Sequence, residues 1–422
     1  MSRIHWLAGS ALVGLVACVA PAMAGEIRIA CYSDGNECEA TETLAARFMK
    51  DHADVKVTID KMSFKAIQES LPVQLAAGQG PDIARTTDFG PLMRYMLDLR
   101  PYLKDAAYWD ANYGPVLDWM RADAKDHGIY GLMTQLTVSA PLVNKTLFDQ
   151  AGVGVPKAGA SWDDWARAAK QVAVAEKIPF GIAFDRSGAR LAGPAISMGA
   201  KFFAADGTPA VVDAGFRAMA QRYVDWAKDG TLDRDNLVAV ATGYRDAFEP
   251  FANGQVAVYY SGSWQLTRME KQIGDAFDWV VGAAPCGPAA CSGMPGGAGF
   301  VAFKGSKNPK DVAAFLDYLA AQPVYAEMMV MTSNVPAQSA LQKTTLPYKL
   351  SKQGTAAIQQ FVADAAQLSP VAYTLQGHPM SRPMFTAMAD RITQAMSGQT
   401  TLDQAYARIT ADVADAVAAA RK

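Results

Sequence analysis

The sequence predicts an α/β protein of two lobes, with the chain crossing between them at least once. Its first residues alternate strand, helix, strand, helix and strand, which is the pattern of a parallel sheet wrapped by helices. A second α/β region follows, and the C-terminal part is mostly helical in pattern. The length of 422 residues corresponds to roughly two to three domains of ordinary size. Hydrophobic residues make up 50% and charged residues 19% of the chain, which excludes disordered and collagen-like proteins.

The N-terminal region supplies three predicted strands. Apolar side chains alternate in Glu26–Ala30 and in Val55–Ile59, as in strands with one buried face. Between these strands, Ala40–His52 has the apolar spacing of a helix. A second helix, Phe64–Ala77, ends at a Gly-Gln-Gly-Pro turn, and Asp82–Arg85 is the third predicted strand.

The middle of the chain predicts the second α/β region. Met93–Leu103 has helical spacing that is interrupted near Pro101. Ser161 is the expected N-cap of a helix with two acids in its first turn. A Ser-Gly-Ser turn is expected to lead into a helix at Trp264. The other expected strands and helices are Thr137–Val143, Phe180–Ala183, Ala214–Lys228, Tyr244–Ala252, Val256–Tyr260, Trp279–Ala283, Phe300–Phe303 and Lys310–Ala321.

The N-terminus is typical of a secretory signal peptide, assigned to residues 1–24. Arg3 precedes a charge-free apolar run at residues 6–20, and the run Ala-Met-Ala before Gly25 is a suitable cleavage site. The apolar run is too short for a membrane span. Cys18 ends a sequence that resembles a lipobox, but the first strand follows closely behind it. We therefore favour soluble export over lipid anchoring at Cys18.

Charge and motifs exclude several functions. With 39 Lys+Arg against 41 Asp+Glu, the net charge of -2 does not suit a nucleic-acid binder. Four widely separated histidines give no ligand spacing for a metal site. Nucleophile-elbow, phosphate-loop and dinucleotide-binding motifs are missing from the sequence. We therefore expect no metal and no cofactor.

Four cysteines remain after the signal peptide, and they form two short-range pairs. Cys31 with Cys38 and Cys286 with Cys291 would each close a small loop in an oxidising compartment. Four cysteines allow three connectivities, of which these local loops are the simplest. A zinc site is the weaker alternative, because the spacings are unsuitable and partner histidines are lacking.

Four segments resemble the family 1 extracellular solute-binding proteins, the carbohydrate-binding components of bacterial ABC importers that include maltose-binding proteins. Met133 and Val143 depart from the family pattern, which has a proline and an aromatic residue at these positions. The resemblance covers essentially the whole mature chain. The four segments are LAAGQGPD at Leu75–Asp82, GIYGLMTQLTVSAPLVNKTLFDQAGVG at Gly128–Gly154, SWDDW at Ser161–Trp165 and FANGQVAVYYSGSW at Phe251–Trp264.

This resemblance implies a type II periplasmic-binding-protein fold with the ligand cleft between two lobes. It implies hinge strands near residues 134–140 and 298–303, with a third crossing near residues 330–340. Lobe 1 would comprise residues 25–136 plus 299–332, and lobe 2 residues 137–298 plus 333–422. The implied partners are a small-molecule solute, most of all a carbohydrate, and the membrane permease subunits of an ABC importer. The implied protein is a periplasmic monomer and not an enzyme.

Ligand-binding residues are expected where strands end, because ligands approach the carboxyl ends of parallel strands. A sugar needs aromatic faces for stacking and planar polar groups for hydrogen bonds. Trp264 is the leading candidate for stacking, Tyr244 is a weaker candidate, and Trp162 and Trp165 are assigned to packing. The strand ends and the resemblance together indicate, besides Trp264, the residues Tyr32, Asp34, Asn36, Thr86, Thr87, Asp88, Gln135, Thr137, Gly296, Gly297, Arg382 and Phe385.

Three alternative functions are compatible with the sequence. The solute could be anionic, such as a sugar phosphate or sulfonate, in which case Arg85, Arg245 or Arg382 would face the cleft. A secreted glycosidase would need two opposed carboxylates. An adhesin or sensor partner would act without a transporter.

Overall fold

A computed structural model describes residues 25–122, 125–239 and 243–420. The predicted signal peptide and Cys18 lie outside these residues. The described chain contains two mixed sheets surrounded by helices. Within the described residues, no helix combines the length and the apolar character that crossing a bilayer requires.

The first sheet has the strand order β2-β1-β3-β10-β4. Strand β1 runs parallel to both β2 and β3, whereas β10 is antiparallel to β3 and β4. Ile27 and Ile29 of β1 are fully buried, as the alternating sequence predicts. The strands are β1 (Gly25–Cys31), β2 (Val55–Lys61), β3 (Ile83–Thr86), β4 (Gly131–Met133) and β10 (Gly299–Ala302).

The second sheet has the order β6-β7-β5-β8, and β9 also pairs with β5. Strands β6 and β7 are parallel, and β5 is antiparallel to its three partners. Every residue of β5 and β7 is buried, which explains their nearly continuous apolar sequences. The strands are β5 (Thr137–Asn144), β6 (Phe180–Phe184), β7 (Val256–Gly262), β8 (Trp279–Val281) and β9 (Pro295–Gly296).

Several helices begin where a short polar side chain caps them. Ser161 caps α5 and forms a reciprocal capping box with Asp164, confirming the predicted N-cap. The helices are α1 (Glu37–Asp51), α2 (Phe64–Ala76), α3 (Ala106–Leu117), α4 (Lys145–Gln150), α5 (Trp162–Glu176), α6 (Gly188–Ser197), α7 (Ala214–Asp229), α8 (Arg234–Val238), α9 (Phe248–Ala252), α10 (Leu266–Gln272), α11 (Pro309–Ala320), α12 (Gln322–Thr332), α13 (Lys352–Ala365), α14 (Pro370–Gly377), α15 (Ser381–Met396) and α16 (Leu402–Ala420).

Two helix predictions need correction. The predicted helix Met93–Leu103 is wrong beyond a 3₁₀ turn at Gly90–Tyr95, because the following backbone pairs with neighbouring chain instead. The Leu97 N–H donates to the carbonyl of Ala302, and the Leu99 N–H donates to that of Ile129. The predicted helix Tyr244–Ala252 is shorter, since α9 begins only at Phe248.

Both predicted cysteine pairs are disulfide-bonded. Cys31 joins Cys38 at the end of β1, with Cα atoms 5.9 Å apart. Cys286 joins Cys291 in the loop before β9. Each bond therefore closes a local loop, as expected for a chain folded in an oxidising compartment.

Candidate ligand-binding cavity

One cavity of about 1240 Å³ collects nearly all of the predicted binding residues. Its walls come from segments that follow β1, β3, β6 and β7, together with α2, α10 and α15. The predicted residues in its lining are Tyr32, Asp34, Thr86, Thr87, Asp88, Gln135, Thr137, Trp264, Gly296, Gly297, Arg382 and Phe385.

Asn36 is the predicted binding residue that the lining does not include. Its Nδ2 donates to the carbonyl oxygen of Met331 at 2.9 Å, and its Oδ1 is buried without a partner. This amide therefore ties the first turn of α1 to the end of α12. The long-range partner could not be read from the sequence near Asn36.

The loop after β1 is held in place by α1 as well as by its disulfide. The buried Glu37 carboxylate accepts hydrogen bonds from the N–H groups of Asp34 and Gly35, at 2.9 and 3.0 Å. The Ser33 hydroxyl accepts from the N–H of Cys38 at 3.0 Å. These bonds satisfy backbone donors that a turn would otherwise leave to water, so the loop is preorganised before a ligand arrives.

Arg85 lies behind this loop and does not line the cavity. It is fully buried; its Nη1 donates to the carbonyl of Tyr32 and its Nη2 to the side-chain oxygen of Gln135, both at 2.8 Å. The Asp34 and Glu37 carboxylates lie 3.5 and 3.7 Å from Nη2. Arg85 thus partly compensates the charge of both acids and is already engaged by protein groups.

The Asp34 carboxyl is open to the cavity, with 27% of its side chain exposed, yet protein surrounds it closely. Burial raises its pKa to about 6, although Arg85 acts in the opposite direction. Glu37 contributes a smaller upward effect. Asp34 is therefore a hydrogen-bonding group whose charge changes near pH 6.

Trp264 lines the cavity from the 3₁₀ turn Ser263–Gln265 that follows β7. The guanidinium of Arg190 lies 4.4 Å from the centre of its ring. Asp185 accepts a hydrogen bond from Arg190 Nε at 3.3 Å and is itself completely buried. Burial raises the pKa of Asp185, and the nearby Arg190 partly offsets that effect.

Several cavity residues were not among the predicted ones. Many of them belong to α2 and to the segment after β6, where Asp185 and helix α6 (Gly188–Ser197) follow the strand end. The rule that ligands meet the carboxyl ends of strands could have identified this segment, had α6 been predicted. The additional polar and aromatic residues include Phe64, Gln68, Arg186, Arg190, Asp246, Arg268 and Asp390. Tyr244, the weaker stacking candidate, also lines the cavity.

The arginines of the described lining all pair with carboxylates. Arg186 pairs with Asp390 at 2.6 Å and Arg190 with Asp185 at 3.3 Å. The other pairs are Arg268 with Asp246 and with Glu249, and Arg382 with Asp88 at 3.7 Å. Arg245, which an anionic solute might have required, does not line the cavity. Of the lining lysines, Lys65 pairs with Glu69 at 3.6 Å, whereas Lys271 has no carboxylate within 4 Å among the described residues. The cavity therefore offers many hydrogen-bonding groups, and its arginines carry little uncompensated positive charge.

The profile of a family described as bacterial extracellular solute-binding proteins matches residues 34–326 of the sequence. No curated protein sequence matches the chain significantly.

Solved structures share the whole fold at low sequence identity. An ABC substrate-binding protein of Listeria monocytogenes, in complex with cycloalternan, is 18% identical, with a TM-score of 0.74 over 94% of this chain and 99% of that one. Maltose-bound MalE3 of T. maritima is 17% identical, with a TM-score of 0.73 over 92% and 99%. The cyclic alpha-maltosyl-1,6-maltose binding protein of Arthrobacter globiformis is 17% identical, with a TM-score of 0.71 over 92% and 98%. These similarities establish the fold, which is the predicted two-lobed type II periplasmic-binding-protein fold.

Proposed function

The chain belongs to the bacterial extracellular solute-binding proteins, and from this premise we propose that it captures an uncharged sugar in the cavity and delivers it to an ABC importer. The compared proteins from L. monocytogenes and T. maritima carry cycloalternan and maltose. The permease subunits of the importer are the membrane partner in this proposal. Binding and release suffice for this function, which includes no catalytic step.

The pairing of the cavity arginines is the observation that carries the proposal of a neutral ligand. An anionic solute would need a cation with spare charge, and each arginine of the described lining already has a carboxylate within 4 Å. Among the cations of the described lining, Lys271 alone lacks such a partner. The same groups present fixed N–H donors and carboxylate acceptors. Sugar hydroxyls both donate and accept hydrogen bonds, so they match such a surface.

The proposed lobes are residues 25–136 plus 299–332 and residues 137–298 plus 333–422. Pairing of β10 with β3 and β4 supports the return of the chain to the first lobe. Leu136 bridges Val335, which supports a third crossing beside the first. Gln338 donates to the hydroxyls of Tyr108 and Tyr113, which belong to the proposed first lobe. This contact supports placing the third crossing a few residues after position 333. Closure of these lobes around the solute would produce the form that the permease recognises.

Export to the periplasm as a soluble monomer completes the proposal. The charge-free apolar run and the Ala-Met-Ala site before Gly25 support cleavage there. The two disulfides support an oxidising compartment.

Thermal unfolding of residues 25–422 with a panel of solutes tests the function. The panel contains neutral mono- and oligosaccharides, polyols, sugar phosphates, sulfonates and amino acids. A ligand that binds only the folded protein raises Tm, and a hundredfold excess over Kd stabilises by about 2.7 kcal/mol. We expect a neutral sugar to raise Tm, and we expect Trp264→Ala to abolish the rise. A rise confined to anionic solutes, or none with any solute, would contradict the proposal.

A further inference from the structure

The ring of Trp264 is already partly covered by protein. Arg190 lines the same wall and is 7% exposed, with its guanidinium carbon 4.4 Å from the centre of the ring. Gly262 approaches the ring so closely that a Cβ at this position would lie 2.0 Å from Cζ3 of Trp264. A solute at this wall therefore meets Arg190 together with Trp264 and not the indole alone.

The plane of the Arg190 guanidinium is fixed by two hydrogen bonds. Nε donates to Asp185 Oδ2 at 3.3 Å, and Nη1 donates to the Ser139 hydroxyl at 2.6 Å. Asp185 is held in turn by the hydroxyls of Tyr259 and Ser261. Because these partners are buried, the guanidinium keeps its orientation before a ligand binds.

One nitrogen of the Arg190 guanidinium, Nη2, remains available to a ligand. A guanidinium has five N–H donors, and the bonds from Nε and Nη1 use two of them. Within the described residues, no hydrogen bond joins Nη2 to the protein. Nη2 is also not one of the fully buried polar atoms that lack a partner, so it keeps some accessible surface. Since Arg190 lines the cavity, Nη2 is open to it.

The charge around Arg190 indicates which acceptor suits this donor. Asp185 is 1% exposed and lies 3.3 Å from Nε, so it offsets the positive charge of the guanidinium. A carboxylate or phosphate at Nη2 would lie close to the negative charge of Asp185. A hydroxyl or ring oxygen of a neutral sugar gains the directional hydrogen bond without that repulsion.

We propose that Arg190 is a specificity-determining residue whose Nη2 donates a hydrogen bond to an uncharged oxygen of the solute bound against Trp264. Asp185 is the positioning residue that orients Arg190 and cancels its charge. This inference rests on the proposed function, since it assumes a neutral sugar in the cavity. It adds a contact on α6 that the strand-end residues after β1, β3 and β7 do not supply.

Isothermal titration of residues 25–422 tests the inference. The probes are maltotetraose, cellotetraose, mannotetraose and glucose, and the one that binds the wild type most tightly is carried forward. Arg190→Met is combined with Asp185→Asn, so that no buried carboxylate is left without its cation. Loss of a charged donor to a neutral acceptor is expected to weaken Kd by about tenfold to a hundredfold. Arg190→Lys should lose most of this affinity too, because an ammonium cannot keep the planar stack and both bonds.

The matched control combines Asp163→Asn with Arg222→Met, which removes an ion pair of 2.8 Å that is not in the cavity lining. This control should bind as the wild type does, and circular dichroism should show that all variants fold. A Kd of the Arg190 double variant within about twofold of wild type would overturn this inference and leave the function standing. Arg190→Lys with wild-type affinity would overturn it too. Wild-type protein that binds none of these sugars, and no neutral sugar of the wider panel, would overturn both proposals.

Discussion

The guanidinium of Arg85, which lies behind the cavity lining, donates a hydrogen bond to the side-chain oxygen of the lining residue Gln135, and both residues are buried. Arg85 lies in β3 of the first sheet, whereas Gln135 lies in the segment that leads from β4 to β5 of the second sheet. The same Gln135 oxygen accepts from Asn334 at 2.7 Å. One buried cation thus links a ligand-facing loop with two of the proposed crossings.

Arg85→Met is expected to lower the free energy of unfolding by about 3–5 kcal/mol. Removing one partner of a buried ion pair leaves the other charge without compensation, and here both Asp34 and Glu37 lose their cation. Urea denaturation at neutral pH measures the change. Arg28→Met is the matched control, because Arg28 and Asp60 are about half exposed and such pairs contribute less than about 1 kcal/mol. Equal effects of the two variants would refute a stabilising role for the Arg85 network.

The parts of the site that sequence predicted are those governed by local rules. Thr86 ends a strand and Tyr32 and Trp264 each follow one, and strands can be predicted from alternating or continuous runs of apolar residues. Helix α6 was missed because its sequence, GARLAGPAIS, carries glycines and a proline that lower helix propensity. Arg190 was missed with it.

Long-range pairings explain the other differences between the predicted and the observed structure. Asn36 bonds to Met331, and the chain after Tyr95 pairs with Ile129 and Ala302, which are far along the sequence. Such partners are set by tertiary packing and leave no periodic signal near the residue concerned. The lobe boundaries remain a prediction for the same reason.

Removing the Cys31–Cys38 disulfide is expected to weaken both folding and binding. Cys31→Ala with Cys38→Ala opens a loop with a sequence separation of 7. By the chain-entropy argument, loss of this disulfide lowers the free energy of unfolding by about 2–3 kcal/mol. Affinity should fall as well, because the loop that carries Asp34 must then be ordered during binding. Urea denaturation and titration with the neutral sugar found above measure the two effects.

Cys286→Ala with Cys291→Ala is the matched control for that experiment. Its loop also spans few residues, but neither cysteine lines the cavity. This variant should lose stability and keep its affinity. If both double variants bind as the wild type does, preorganisation by Cys31–Cys38 does not contribute to binding.

Sugar affinity is expected to fall as the pH drops through about 6. The pKa of Asp34 is raised to about 6 by burial, so the ligand-free protein carries the carboxylate above this pH. A sugar hydroxyl that donates to the carboxylate binds the ionised form better, which lowers the pKa in the complex. Affinity should therefore be constant above about pH 7 and decline by at most about tenfold per pH unit below 6.

Titration calorimetry from pH 5 to 8 measures this pH dependence of the affinity, and Asp34→Asn should give a flat profile. A wild-type profile that is flat, or a slope that persists in Asp34→Asn, would show that Asp34 does not bind the sugar as a carboxylate.

Asp364→Asn is expected to stabilise the protein at neutral pH. Asp364 is 5% exposed on α13, and its Oδ2 is buried without a hydrogen-bond partner. Burial raises its pKa from 3.8 to about 6, so above pH 6 the folded state holds a charge that the unfolded state hydrates more favourably. Each pKa unit corresponds to about 1.4 kcal/mol, which gives an upper limit of about 3 kcal/mol for the stabilisation.

The pH dependence distinguishes this cause from better packing. The folded Asp364 gains its proton as the pH falls through 6, whereas the unfolded side chain stays ionised until about 3.8. The advantage of Asn should therefore be greatest above pH 6, should be mostly lost by pH 4, and should vanish only well below pH 3.8, where both states are protonated. Asp317→Asn is the contrasting control, because the Asp317 carboxylate accepts hydrogen bonds from the Trp109 indole and the Lys104 N–H. Replacing one of these acceptor oxygens should lower the free energy of unfolding by about 1–3 kcal/mol. Urea denaturation of both variants at pH 4 and pH 8 makes the comparison. An Asp364→Asn gain that is equal at both pH values would place the cause in packing and not in the buried charge.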